Sequence, residues 1–128
     1  MTRILLVAAG GALGAMARYG LGTMAGRLAP QSAWPWGTFC ANLIGGLLMG
    51  LLAGWLALRG GAQQETVRLF AAVGVLGGFT TFSAFSLETA LMIERRELAL
   101  AAAYVAGSVM LAVGALFAGL FIARRVFA

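Results

Sequence analysis

Four long apolar segments, separated by short clusters of charge, run along this chain. The first extends from Ile4 to about Gly26 and is broken only by Arg18, while the second lies inside the uncharged stretch from Leu28 to Leu58. The third spans Leu69 to Leu87, and the fourth runs from Leu98 to Ala123, closed by Arg124 and Arg125. A helix needs roughly 20 apolar residues to cross the hydrocarbon core of a bilayer, and each segment approaches or exceeds that length. The remaining charges fall at Arg27, from Arg59 to Arg68 and from Glu94 to Glu97, which reads as short loops between spans. The pattern predicts an all-α membrane protein, a single domain over residues 1–128 with four transmembrane helices. A secretory signal is the competing reading of the N-terminus, because Arg3 precedes an apolar run with small residues. The apolar pattern continues past Arg18 to Gly26, too long for the apolar core of a signal.

Composition agrees, with 62% hydrophobic residues, 10% charged residues and a mean hydropathy of +0.95. The net charge is +5, and every base is Arg and every acid Glu. These arginines sit singly or in pairs at the ends of spans, where they suit lipid headgroups better than a nucleic-acid groove. Cys40 is the only cysteine, which excludes an intrachain disulfide and a cysteine metal cluster and leaves a packing role. With no His, Asp or Lys, most general-base, triad and metal-ligand schemes are absent. An enzyme is not expected. A permeation path needs only oriented dipoles and a few polar side chains, so transport is the better class.

Glycines recur at four-residue spacing, as in Gly10 with Gly14, Gly22 with Gly26, Gly46 with Gly50 and Gly54, and Gly74 with Gly78. Such faces let membrane helices approach closely and predict a tight bundle. Pro30, Trp34, Pro35 and Trp36 mark an irregular stretch before the second span, suited to a helix start in the interfacial aromatic belt. Four crossings put both termini on one side, with Arg3, Arg59, Arg68, Arg124 and Arg125. The other side holds Arg27, Arg95 and Arg96. Five against three is a weak bias under the positive-inside rule, so both insertion orientations are expected. A chain inserted both ways can form an antiparallel dimer with a two-fold axis in the membrane plane.

Three polar features lie at membrane depth. Arg18, in GGALGAMARYG, is costly at a helix centre and belongs near an aqueous opening, as a snorkelling anchor, a partner of Glu88, or a charge that draws anions inward. Asn42, in WGTFCANLIGG, is the only asparagine, with an amide equally suited to donate to an anion or to hydrogen-bond a neighbouring helix. The third feature is GVLGGFTTFSAFSLET, Gly74 to Thr89, where a glycine pair, a threonine pair and two serines interrupt an apolar segment. Gly77 and Gly78 permit unwinding there. Non-helical backbone at membrane depth is tolerated only where it is buried or lines a cavity, and its freed carbonyls suit a cation. Phe82 and Phe85, three residues apart, share a helix face beyond the break, either as core packing or as rings beside hydroxyls in a path.

At these residues the sequence closely resembles the Fluc family of bacterial fluoride channels, also called CrcB proteins. The resemblance covers nearly the whole chain and rests on GGALGAMARY at Gly10 to Tyr19, GTFCANLIGG at Gly37 to Gly46 and GGFTTFSAF at Gly77 to Phe85. It implies a dual-topology, antiparallel homodimer in the bacterial inner membrane, with two fluoride pores and a structural sodium ion at the dimer centre. It further implies that the backbone carbonyls of Gly77 and Thr80 hold the sodium, and that Asn42, Phe82 and Phe85 line the pore. Tyr104 and Ser108, on the fourth span, match the family's polar track, and Arg18 falls at the vestibule. Ala84 departs from the family's usual threonine and removes a hydroxyl beside the pore helix.

Fluoride is small and strongly hydrated, so a pore must replace water with donors, which amide and hydroxyl hydrogens and the positive edges of phenyl rings supply. Passive flow out of an electrically negative cytoplasm then suffices to protect against fluoride toxicity. A small dual-topology exporter of organic cations has a similar length and helix count, but it calls for a carboxylate in the first span, where this chain carries Arg18. A purely structural subunit accounts for the glycine faces and leaves the polar third span without a reason.

Overall fold

The computed structural model describes all 128 residues. Helix α1 covers Thr2–Leu28 and α2 covers Trp36–Arg59. A third apolar span, Gly61–Glu94, is assembled from several pieces, and α6, Leu98–Phe127, is the fourth. All four are long and apolar enough to cross a membrane, so the protein is a multi-pass membrane protein. Large apolar side chains stand exposed along every span, among them Leu5, Leu48, Leu87 and Phe117. In lipid that is the expected surface of a helix bundle.

Glycine decides which helices touch. On α2, Gly46 lies against the Ala112 backbone, Gly50 against Leu116 and Leu120, and Gly54 against Ala123, so α2 and α6 run parallel in close contact. On α1, Gly10 meets Phe70 and Gly74 and Gly14 meets Val75 and Phe79, so α1 runs parallel to the third span. A Cβ at Gly78 would stand 2.6 Å from the Gly11 carbonyl oxygen, a distance no side chain tolerates. These are the small-residue faces expected from the four-residue glycine spacing, used backbone to backbone, whereas at Gly22 and Gly26 an added Cβ would meet open space.

The third span departs from a regular helix. After a 3₁₀ turn and the short α3, Gln64–Val67, the residues Arg68–Leu76 form a π-helical segment, followed by α4, Gly77–Phe79. Thr80 is extended, with φ −84° and ψ 159°, and α5 begins at Ser83 and runs to Glu94. Unwinding was expected at Gly77 and Gly78, but both remain helical and the irregular backbone follows them. The reason is packing: Gly74 and Gly78 serve as contact points with α1, whereas the backbone at Thr81 is offered other partners.

Candidate functional site

The irregular backbone at Thr80 and Thr81 is held by hydrogen bonds that replace the helical ones. Asn42 on α2 pairs with Thr81 reciprocally: its Nδ2 donates to the Thr81 carbonyl at 3.0 Å, and its Oδ1 accepts from the Thr81 N–H at 2.9 Å. Thr81 in turn caps α5, its Oγ1 accepting from the Ala84 N–H at 3.2 Å. Arg18 on α1 reaches the same region, its Nε donating to the Gly78 carbonyl at 3.3 Å. Side chains from α1 and α2 thus satisfy groups that the end of one helix leaves orphaned.

Those substitutions leave two carbonyls with nothing to accept. In a continuous helix the Gly77 carbonyl takes the Thr81 N–H and the Thr80 carbonyl takes the Ala84 N–H. Here the first donor goes to Asn42 and the second to the Thr81 hydroxyl, and no other donor reaches either oxygen. Close packing maintains the arrangement, because a Cβ at Gly45 would collide with the Thr80 methyl group.

A cavity of about 510 Å³ opens beside this backbone, with Asn42, Gly77, Thr80, Phe82, Phe85 and Ser108 in its wall. The Ser108 hydroxyl is buried and bonded to nothing in the protein. Asn42 spends one amide hydrogen on Thr81 and has a second to offer. Phe82 is 77% exposed and Phe85 only 8%, with ring centroids 5.6 Å apart. The ring series continues from Phe85 to Tyr104 at 5.1 Å and from Tyr104 to Trp34, edge-on, at 5.3 Å.

A second cavity, of about 660 Å³, has Arg18, Trp34, Thr38 and Glu88 in its wall. Glu88 accepts from Thr38 Oγ1 at 3.0 Å with one oxygen and from the fully buried Tyr104 hydroxyl at 3.1 Å with the other. Arg18 and Glu88 share the cavity wall but form no ion pair, which removes that reading of Arg18. The structure therefore brings Asn42, Gly77, Thr80, Phe82, Phe85 and Ser108 to one cavity. Tyr104 meets that group only through the Phe85 ring, and its hydroxyl belongs to Glu88. Thr38 is not singled out by the sequence, and Thr81 enters there only as one of the threonine pair. Thr38 stands four residues before Asn42 on one helix, a spacing that places the two polar side chains on a common face and was available as a signal.

Comparison with known proteins bears on the chain as a whole. Residues 5–120 match the family described as CrcB-like protein, Camphor Resistance (CrcB). A protein of Caulobacter sp. (strain K31) named fluoride-specific ion channel FluC is 68% identical over 127 residues, covering 99% of this chain and 98% of that one. A protein of Phenylobacterium zucineum (strain HLK1) with the same name is 68% identical over the full length of both. Another, from Caulobacter vibrioides (strain NA1000 / CB15N), is 59% identical over 128 residues and again covers both chains fully. A four-span bundle whose GTFCANLIGG and GGFTTFSAF segments meet at one cavity, matched end to end by these relatives, belongs to the CrcB-like family.

Proposed function

We infer that this chain is the subunit of a fluoride channel that lets the ion leave the bacterial cytoplasm passively across the inner membrane. It conducts and performs no catalysis. The observation that carries the reading is the convergence, in one cavity, of an unpaired buried hydroxyl at Ser108, the free amide hydrogen of Asn42 and the rings of Phe82 and Phe85. Those groups offer positive hydrogens to an anion that gives up its water. An exporter of organic cations has no matching feature, because α1 carries no carboxylate.

The unused carbonyls of Gly77 and Thr80 face the opposite chemistry. Two acceptors without donors at membrane depth are costly unless a cation occupies them, which fits a sodium ion held by backbone oxygens. In this reading the interrupted third span lies mid-membrane, and a second, antiparallel copy completes the sodium cage and the pore pair. The five-to-three division of arginines supports insertion in both orientations. Sodium then stabilises the dimer by mass action.

Fluoride efflux from liposomes containing only the purified protein tests the function. Rapid efflux in sodium is expected, with a looser dimer or slower flux when a large organic cation replaces it. A folded protein that passes no fluoride sinks the proposal, while flux and dimer stability indifferent to sodium remove the cation site alone.

A further inference from the structure

Charge is distributed unevenly between the two ends of the bundle. The end that holds both termini carries Arg3, Arg59, Arg68, Arg124 and Arg125 against a single acid, Glu65. That acid is taken, since Arg68 pairs with Glu65 at 3.2 Å, and the other ion pair of the molecule, Arg95 with Glu97, lies at the opposite end. Arg59, Arg124 and Arg125 are exposed and form no ion pair.

The parallel packing of α2 and α6 brings these three together. Gly54 seats against Ala123, and one turn further Arg59 Nε donates to the Phe127 carbonyl at 2.8 Å, which fixes its guanidinium beside the last turn of α6. The remaining guanidinium nitrogens of Arg59 are bonded to nothing in the protein. Arg124 lies on that same turn. Below it, Phe117 and Phe121 precede Arg124 by seven and three residues and share its helix face; they are 63% and 59% exposed, and the Arg125 guanidinium stacks 4.9 Å over the Phe121 ring. Unpaired cations at the headgroup level thus stand directly above an apolar stripe at acyl-chain depth.

We propose that the joined ends of α2 and α6 form a binding site for an anionic glycerophospholipid. Arg59 and Arg124 hold its phosphate, and the Phe117 and Phe121 stripe receives an acyl chain. A fork of N–H donors matches phosphate oxygens bidentately, and each arginine at a headgroup surface favours an anionic lipid by about fivefold. The site is independent of the fluoride path and makes no use of its residues.

Lipid retention by the purified full-length protein tests this, in mixed micelles holding equal fractions of phosphatidylglycerol and phosphatidylcholine and read by native mass spectrometry. The wild type is expected to retain phosphatidylglycerol over phosphatidylcholine by about fivefold or more. R124Q/R125Q should lose most of the preference, R124K/R125K should fall between it and the wild type for want of the bidentate fork, and the opposite-end pair R95Q/R96Q should keep the preference. Should R124Q/R125Q fail to elute as folded protein, R124Q alone carries the same comparison. Equal retention by the wild type, an unchanged preference in R124Q/R125Q, or displacement of the lipid by inorganic phosphate at equal concentration would each overturn the proposal, the last by showing a phosphate site with no use for the lipid chain.

Discussion

The cavity beside Asn42 and the cavity beside Glu88 lie against the same irregular span, yet they treat their polar groups in opposite ways. At Glu88 the carboxylate and the hydroxyls that touch it are engaged: both carboxylate oxygens accept hydrogen bonds, from Thr38 and Tyr104, and Arg18 donates to Gly78, although the Trp34 indole N–H in the same wall has no partner. At Asn42 the groups are neutral and partly idle, with an unpaired Ser108 hydroxyl and two backbone carbonyls without donors. Buried polar groups are normally satisfied, so idle ones ask for a partner that comes and goes. Engaged charges hold the protein's own segments together, and idle dipoles are what the proposed ion sites rest on.

Breaking the joint between α2 and the irregular backbone should have the largest effect. Asn42→Leu strands both the N–H and the carbonyl of Thr81, at a cost of about 2 to 6 kcal/mol for two orphaned groups. A thermal melt of the purified protein should show a large loss of stability, and liposomes should show no flux. An Asn42→Leu protein with normal stability would mean that the pair with Thr81 does not hold the backbone.

The two rings come next, and they separate packing from conduction. Phe85 is buried, so Phe85→Ile should cost roughly 1.5 kcal/mol, whereas exposed Phe82→Ile should change stability by less than about 0.5 kcal/mol. Fluoride efflux should drop sharply in both. Normal efflux through Phe82→Ile protein that elutes intact would assign the rings to packing and leave the anion to Asn42 and Ser108.

A pair of hydroxyl deletions sharpens the contrast between the cavities further. Tyr104→Phe removes a bond to Glu88 and should lower stability by about 1 kcal/mol, with a modest change in flux. Ser108→Ala removes a hydroxyl that bonds nothing in the protein, so stability should hold or rise while flux falls. If the two variants behave alike, the distinction between engaged and idle groups fails.

The smallest effect is expected away from both cavities. Arg96 sits at φ 61° in the turn between α5 and α6, where the Glu97 N–H closes back on the Met92 carbonyl at 2.9 Å. Glycine fits that left-handed position better, so Arg96→Gly should raise stability by about 0.5 kcal/mol and leave flux unchanged. Thermal melts and efflux of the same preparation check both.

The four spans can be read from the sequence alone, because apolar length and charge placement are properties of the chain that a bilayer reads directly. The sequence also makes legible the glycine faces, whose spacing survives into the contacts of α2 with α6 and of α1 with the third span. Most of the polar residues and both rings around one cavity lie in two motifs, GTFCANLIGG and GGFTTFSAF, where a lone asparagine and a threonine pair stand out in an apolar chain, while Ser108 lies outside them. Where the backbone leaves the helix, and which polar groups remain unspent, is set by the packing of distant segments. Gly77 and Gly78 favour unwinding locally, but the contact of Gly78 with α1 holds this turn helical, and Asn42, 39 positions away from Thr81, supplies the bonds that move the irregularity past it. Likewise nothing local tells Tyr104 from Ser108 on one helix. Their difference arises because Glu88, on another helix, comes within 3.1 Å of the first and no group meets the second. Periodicity belongs to a single segment, whereas the satisfaction of a donor or acceptor depends on which distant segment the fold sets beside it.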